Sequence, residues 1–107
     1  MCSVMIYYVM VEAVPNRKNP ESKEYSGAYI NCWVKTDTPV AAVRKVKEYI
    51  HNENWDFVQV EDIFSVQRER YLKEPDSLEC YDHAVQHGFG AIFYTWPTDA
   101  PGQKPDL

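Results

Sequence analysis

Cysteine is scarce and scattered in this sequence: Cys2, Cys32 and Cys80 are the three present among 107 residues. An odd count at wide spacing, with no C-x-x-C pair, excludes a disulfide framework and fits a reducing compartment, so a cytoplasmic protein is expected. No hydrophobic run is long enough to span a bilayer. The apolar start, MCSVMIYYVMVEAV, lacks a basic n-region and a small-residue cleavage site, and Glu12 interrupts it. It reads as a strand, and no membrane partner is expected. Basic residues are outnumbered, 11 Lys and Arg against 16 Asp and Glu, for a net charge of −5. That balance opposes the phosphate attraction on which nucleic-acid binders rely, and carboxylates lie near every local basic group, so no nucleic-acid partner is expected.

Motifs that name a reaction are missing too. There is no G-x-S-x-G, no Walker A loop, no dinucleotide fingerprint and no H-E-x-x-H. There are no internal repeats. No cofactor is expected, no residue is assigned a catalytic role, and the reading leans away from an enzyme.

What is present is material for one core. Hydrophobic residues make up 45%, aromatics 14% and charged residues 25%, the balance of an ordinary soluble domain. The expected organisation is a single α+β domain over residues 1–97 and a flexible C-terminal tail over 98–107, where PTDAPGQKPDL shows no periodic pattern.

Periodicity places the elements. Residues 3–14 are apolar at both even and odd positions, the pattern of a strand buried on both faces. PNRKNPESKE, residues 15–24, reads as a long, solvated, mobile loop. In YSGAYINCWVKT, Ala28, Ile30, Cys32 and Val34 face one way, and Tyr29, Asn31, Trp33 and Lys35 the other. Cys32 thereby joins an aliphatic row as a core thiol. Thr38 then suits an N-cap and Pro39 the first turn of a helix whose Val43, Val46 and Ile50 share a stripe. Residues 55–71 read as extended, either one long bent strand or two strands broken near Glu61 and Asp62, because their apolar residues fall on both parities. A second helix follows, with Asp76 and Glu79 spaced as a capping box and Gly88 as its C′ residue. FGAIFYTW is the last strand.

If the long run splits, residues 25–96 spell βαββαβ, which resembles the ferredoxin-like pattern: an antiparallel sheet with two helices on one face and, here, an extra N-terminal strand. The other face would be open and aromatic. In dimers of that pattern two open faces close over each other, and this resemblance implies a homodimer. It carries no function of its own.

CYDHAVQHGFG, residues 80–90, concentrates Cys80, His83 and His87. At roughly 100° per residue, these three project away from the stripe formed by Leu78, Tyr81, Ala84 and Val85. His83 and His87 at i and i+4 are competent to share an ion, but Cys80 and His87 lie about 10.5 Å apart along the axis, beyond the reach of one zinc. The helix thus offers two metal ligands, fewer than a structural or catalytic site needs, and adventitious binding is the expected limit. A Cys80–His83 nucleophile pair would lack an oxyanion hole and any wall to exclude water.

The functional expectation is therefore a small binding or interaction protein, acting as a homodimer or on a protein partner. Its ligand and interface candidates are Tyr29, Trp33, Tyr71, Tyr94 and Trp96, amphipathic aromatics of the kind that populate interfaces. The alternative is a small dimeric enzyme or ligand binder with an aromatic-lined pocket.

Overall fold

Strand β1 (Met5–Pro15) turns back into β2 (Tyr25–Thr36), with Met5 opposite Thr36 and Ala13 opposite Ala28. The computed structural model describes residues 5–20, 22 and 24–97; Cys2 and the expected tail lie outside the described residues. Helix α1 (Pro39–Asn52) leads to β3 (Trp55–Val66), which pairs with the free side of β1. A 3-10 turn (Arg68–Tyr71) and helix α2 (Pro75–His87) lead to β4 (Phe89–Pro97), which pairs with β2. The fold is α+β, a four-stranded sheet in the order β3-β1-β2-β4 with every neighbouring pair antiparallel.

α1 begins as its sequence dictates. Pro39 occupies the first turn and the Thr38 hydroxyl accepts the Ala41 N–H at 3.1 Å. Its buried stripe, Ala42, Val46 and Ile50, packs on Val9 and Val11 of β1 and Ile30, Cys32 and Val34 of β2. All of these sheet residues are fully buried. The central position of β1 explains why both of its faces are apolar: it has strands on both sides and packed side chains above and below.

The ferredoxin-like expectation fails on two counts. First, residues 55–66 form one strand, and the conflict of parity is absorbed by two bulges. Met10 faces Asp62 while Val11 faces Val60, leaving Glu61 unpaired; Glu12 faces Gln59 while Ala13 faces Phe57, leaving Val58 unpaired. Each extra residue switches the face presented by the residues that follow. Trp55, Phe57, Val60 and Ile63 therefore all reach the α1 side, and Phe64 and Val66 the other.

Second, the helices lie on opposite faces. Leu78, Tyr81 and Ala84 of α2 pack with Ile6, Trp33, Val66 and Tyr71, and alternation along β1 and β2 puts Ile6 and Trp33 on the face away from α1. Gly90 permits the close approach: a Cβ there would stand 2.6 Å from the main-chain oxygen of Cys80. α2 sits over one end of that face, and among the described residues no other helix packs on the rest.

Two smaller expectations are also corrected. The 15–24 loop, expected to be solvated throughout, is anchored at its start. The Asn16 N–H and the Asn19 side-chain amide both donate to the Asn54 carbonyl, at 3.0 and 3.2 Å, and Asn19 is only 5% exposed. The capping box does not form, because Pro75 takes the first helical position and makes Glu74 the cap, with no side-chain bond. Asp76 is left in the first turn. The other end is as expected: Gly88 adopts φ 96° and its N–H returns to the Ala84 carbonyl at 2.7 Å.

Candidate functional site

The uncovered part of the α2 face is where the exposed aromatics collect. Register sets Tyr29 opposite Tyr94 and Gly27 opposite Trp96. The Tyr29 and Trp96 rings meet with centroids 5.0 Å apart, tilted by 56°. Gly27 makes the room, since a Cβ there would come within 2.5 Å of Trp96 Cζ2. Tyr29 and Tyr94 are 36% and 51% exposed. Towards α2, Tyr8 bridges Trp33 and Phe64 at 5.5 and 5.1 Å, and the Arg70 guanidinium lies 4.9 Å from the centre of the Phe64 ring. Burial foremost, with Tyr71 and Asp62 nearby, pushes the Tyr8 phenol above its ordinary value.

Carboxylates border these rings on the β1–β3 side. Gln59 Nε2 donates to Glu61 Oε2 at 2.8 Å and to Glu12 Oε1 at 3.4 Å, gathering two acids round one amide. Asp62 is exposed beside them. In the middle of the face, between Met10 and Ile92, the Asn31 Oδ1 is shut from solvent and meets no donor among the described residues. An unpaired buried carbonyl costs about 1–3 kcal/mol, so this position stands to gain from a donor.

Of the aromatics singled out by the sequence, the structure brings Tyr29, Tyr94 and Trp96 together. Trp33 and Tyr71 are core residues, 1% and 4% exposed, meeting edge to face at 5.8 Å beneath α2. Tyr8, Met10, Glu12 and Asp62 were not anticipated. The even row of β1 carried the signal for three of them, whereas the bulge at Glu61 hides the facing of Asp62.

The cysteine and histidines sit at the other end, along the free side of β4. His83 Nδ1 lies 2.7 Å from the Phe89 carbonyl oxygen and Cys80 Sγ 4.0 Å from that of Ala91. Cys80 thus points less outward than its helical angle implies, because α2 rests against the β4 margin as well as the face. Burial, then Glu79 and Asp76, raises the Cys80 thiol above its ordinary value, the opposite of nucleophile activation. The groove here, about 320 Å³ and lined by Tyr49, Cys80, His83 and Phe89, is open to solvent. The His83 and His87 rings stand 4.5 Å apart. No group of three or more His, Cys, Asp or Glu is placed to hold a metal among the described residues.

The chain matches no protein-family model, no curated protein and no solved structure. Among the described residues no helix is long and apolar enough to cross a membrane.

Proposed function

We propose that this protein is a binding module whose working surface is the uncovered aromatic half of the α2 face, and that its partner is a protein presenting a cationic segment. The observation that carries the reading is the cluster of exposed Tyr29 and Tyr94 with half-buried Trp96, and with Glu12, Glu61 and Asp62 along its β1–β3 border. Aromatic rings attract a Lys or Arg head through their electron-rich faces and bury its aliphatic stem. Neighbouring carboxylates add charge complementarity, which speeds encounter and disfavours acidic competitors. The net charge of −5 acts in the same direction at long range. A cytoplasmic setting and self-association, both expected from the sequence, are proposed separately from the identity of the partner.

The test is a titration of the ¹⁵N-labelled protein with a Lys-rich decapeptide, and with poly-glutamate as control. Shifts confined to Met10, Glu12, Tyr29, Asn31, Gln59, Glu61, Asp62, Tyr94 and Trp96, weakened by 0.5 M salt and by Glu12→Gln with Asp62→Asn, are the expected result. No shift at millimolar peptide, or equal shifts with poly-glutamate, would overturn the reading.

A further inference from the structure

The two margins of the sheet are protected very differently. β3 is guarded: it carries two bulges, Asp56, Glu61 and Asp62 punctuate it, and the Asp62 carboxylate accepts the Ile63 N–H at 3.0 Å. These are the devices by which natural sheets stop edge strands from pairing. β4 has none of them between Ala91 and Trp96. The sequence there is AIFYTW, without a charge or a proline, and its register against β2 is unbroken.

The phase of the β4 ladder is fixed by the Lys35 N–H, which donates to the Gly88 carbonyl at 3.0 Å. Antiparallel alternation then aims the main-chain groups of Gly90, Ile92, Tyr94 and Trp96 at β2, and those of Phe89, Ala91, Phe93 and Thr95 outward. α2 covers only the start of this margin, where His83 meets the Phe89 carbonyl and Cys80 the Ala91 carbonyl. No main-chain partner reaches Phe93 or Thr95 on the outward side among the described residues.

We infer that the free margin of β4 pairs with β4 of a second copy of this chain, antiparallel across a twofold axis at Phe93, to make one continuous eight-stranded sheet. A twofold contact must be self-complementary, and this register is. Phe93 faces its own equivalent, and Ala91 faces Thr95 of the second copy. Phe89 then faces Pro97 of the second copy. Pro97 has no N–H to give, and it falls opposite the carbonyl that His83 already engages. At each end the proline leaves no N–H opposed to the carbonyl that His83 engages, and one step in, the Thr95 N–H of the second copy takes the Ala91 carbonyl, on which Cys80 Sγ has only a long 4.0 Å hold. On the α2 face, Ile92 meets Tyr94 of the second copy, a β-branched and aromatic pair of the favourable kind. The exposed aromatic patches of the two copies become neighbours on one surface. This inference does not depend on the cationic-partner reading.

Sedimentation at roughly 10–100 µM, a range in which many specific homodimers assemble, tests it together with hydrogen exchange of the Phe93 and Thr95 amides. The dimer is expected, with both amides protected in a concentration-dependent way. Thr95→Pro removes one outward N–H, and Thr95→Lys places a charge on the margin; each is expected to weaken dimerisation at least tenfold with an unchanged far-ultraviolet spectrum. Glu12→Gln, away from the margin, leaves the dimer intact. A monomer at 100 µM would overturn the inference, including a monomer whose Phe93 and Thr95 amides are protected by residues 98–107 of the same chain. So would a dimer indifferent to both Thr95 variants, which would place the contact elsewhere. If Thr95→Pro fails to fold, Thr95→Lys decides alone.

Discussion

Trp96 lies across Gly27 so closely that a side chain on the glycine would stand 2.5 Å from its Cζ2, and the same indole meets the Tyr29 ring at a tilt, 5.0 Å between centroids. One hydrogen atom at position 27 therefore sets the shape of the proposed binding face. Trp96 is partly exposed at the far end of its strand. Gly27 is itself buried, so Gly27→Ala is expected to displace the indole at a cost of about 1 kcal/mol, the ordinary size for a single substitution that moves one flexible side chain. The readout is Trp96 emission, measured with Trp33 and Trp55 replaced by Phe: it shifts to the red, and affinity for the Lys-rich decapeptide falls several-fold. Unchanged emission and affinity would show that the stack plays no part in recognition.

Gly90 makes the opposite case. A Cβ there meets the main-chain oxygen of Cys80 at 2.6 Å. That obstacle belongs to α2 and cannot rotate away. Gly90→Ala must move the helix off the sheet, with Tyr81 and Ala84 losing contact with Trp33 and Ile6. Overpacking of this kind costs about 1–3 kcal/mol. Urea unfolding should show a clearly lower midpoint for Gly90→Ala than for Gly27→Ala. Equal midpoints would mean that α2 does not seat on Gly90.

The contrast between these glycines also shows where the sequence was legible. Alternation in YSGAYINCWVKT gave both faces of β2 correctly, and Thr38-Pro39 and Gly88 marked helix ends that the structure keeps. Those signals are local. The parity of β3 was not readable, because a bulge depends on how the partner strand is spaced and leaves no residue signature at Val58 or Glu61. Nor was the side taken by α2. Trp33 sits in the polar-looking row of β2, yet it is 1% exposed because Tyr71 and α2 close over it. A row that mixes Tyr, Asn, Trp and Lys reads as half-exposed from sequence; only the long-range placement of α2 decides which half. For the same reason Tyr29, Tyr94 and Trp96 could be singled out, but not separated from Trp33 and Tyr71.

Thiol chemistry should follow the packing around the two described cysteines. Cys32 is buried between α1 and the sheet, and burial puts its thiol far above the ordinary value. Cys80 is raised by partial burial first, then by Glu79 and Asp76. In a Cys2→Ser background at pH 8, a disulfide reagent such as DTNB is expected to modify Cys80 more slowly than a small free thiol, and Cys32 only on unfolding. Glu79→Gln should quicken Cys80 by lifting one unfavourable charge. A Cys80 that reacts at the rate of free cysteine would contradict its seat against Ala91.

Arg68 and Asp82 give the pH dependence. Arg68 Nε and one terminal nitrogen reach the two carboxylate oxygens at 2.9 and 3.1 Å, tying the 3-10 turn that carries Tyr71 to α2. The guanidinium holds the Asp82 carboxyl below its ordinary value. A carboxyl whose pKa is lower folded than unfolded stabilises the fold above the unfolded value, near pH 4, and loses that contribution as pH falls through the folded value. Arg68 stays charged throughout. The denaturation midpoint of the native protein should therefore exceed that of Asp82→Asn by a constant margin from pH 5 to pH 8, and the margin should close below about pH 4. Both side chains are well exposed, so the margin is small and should shrink in 0.5 M salt. A margin that persists at pH 2, or that grows on acidification, would show that Asp82 acts through packing rather than through its charge on Arg68.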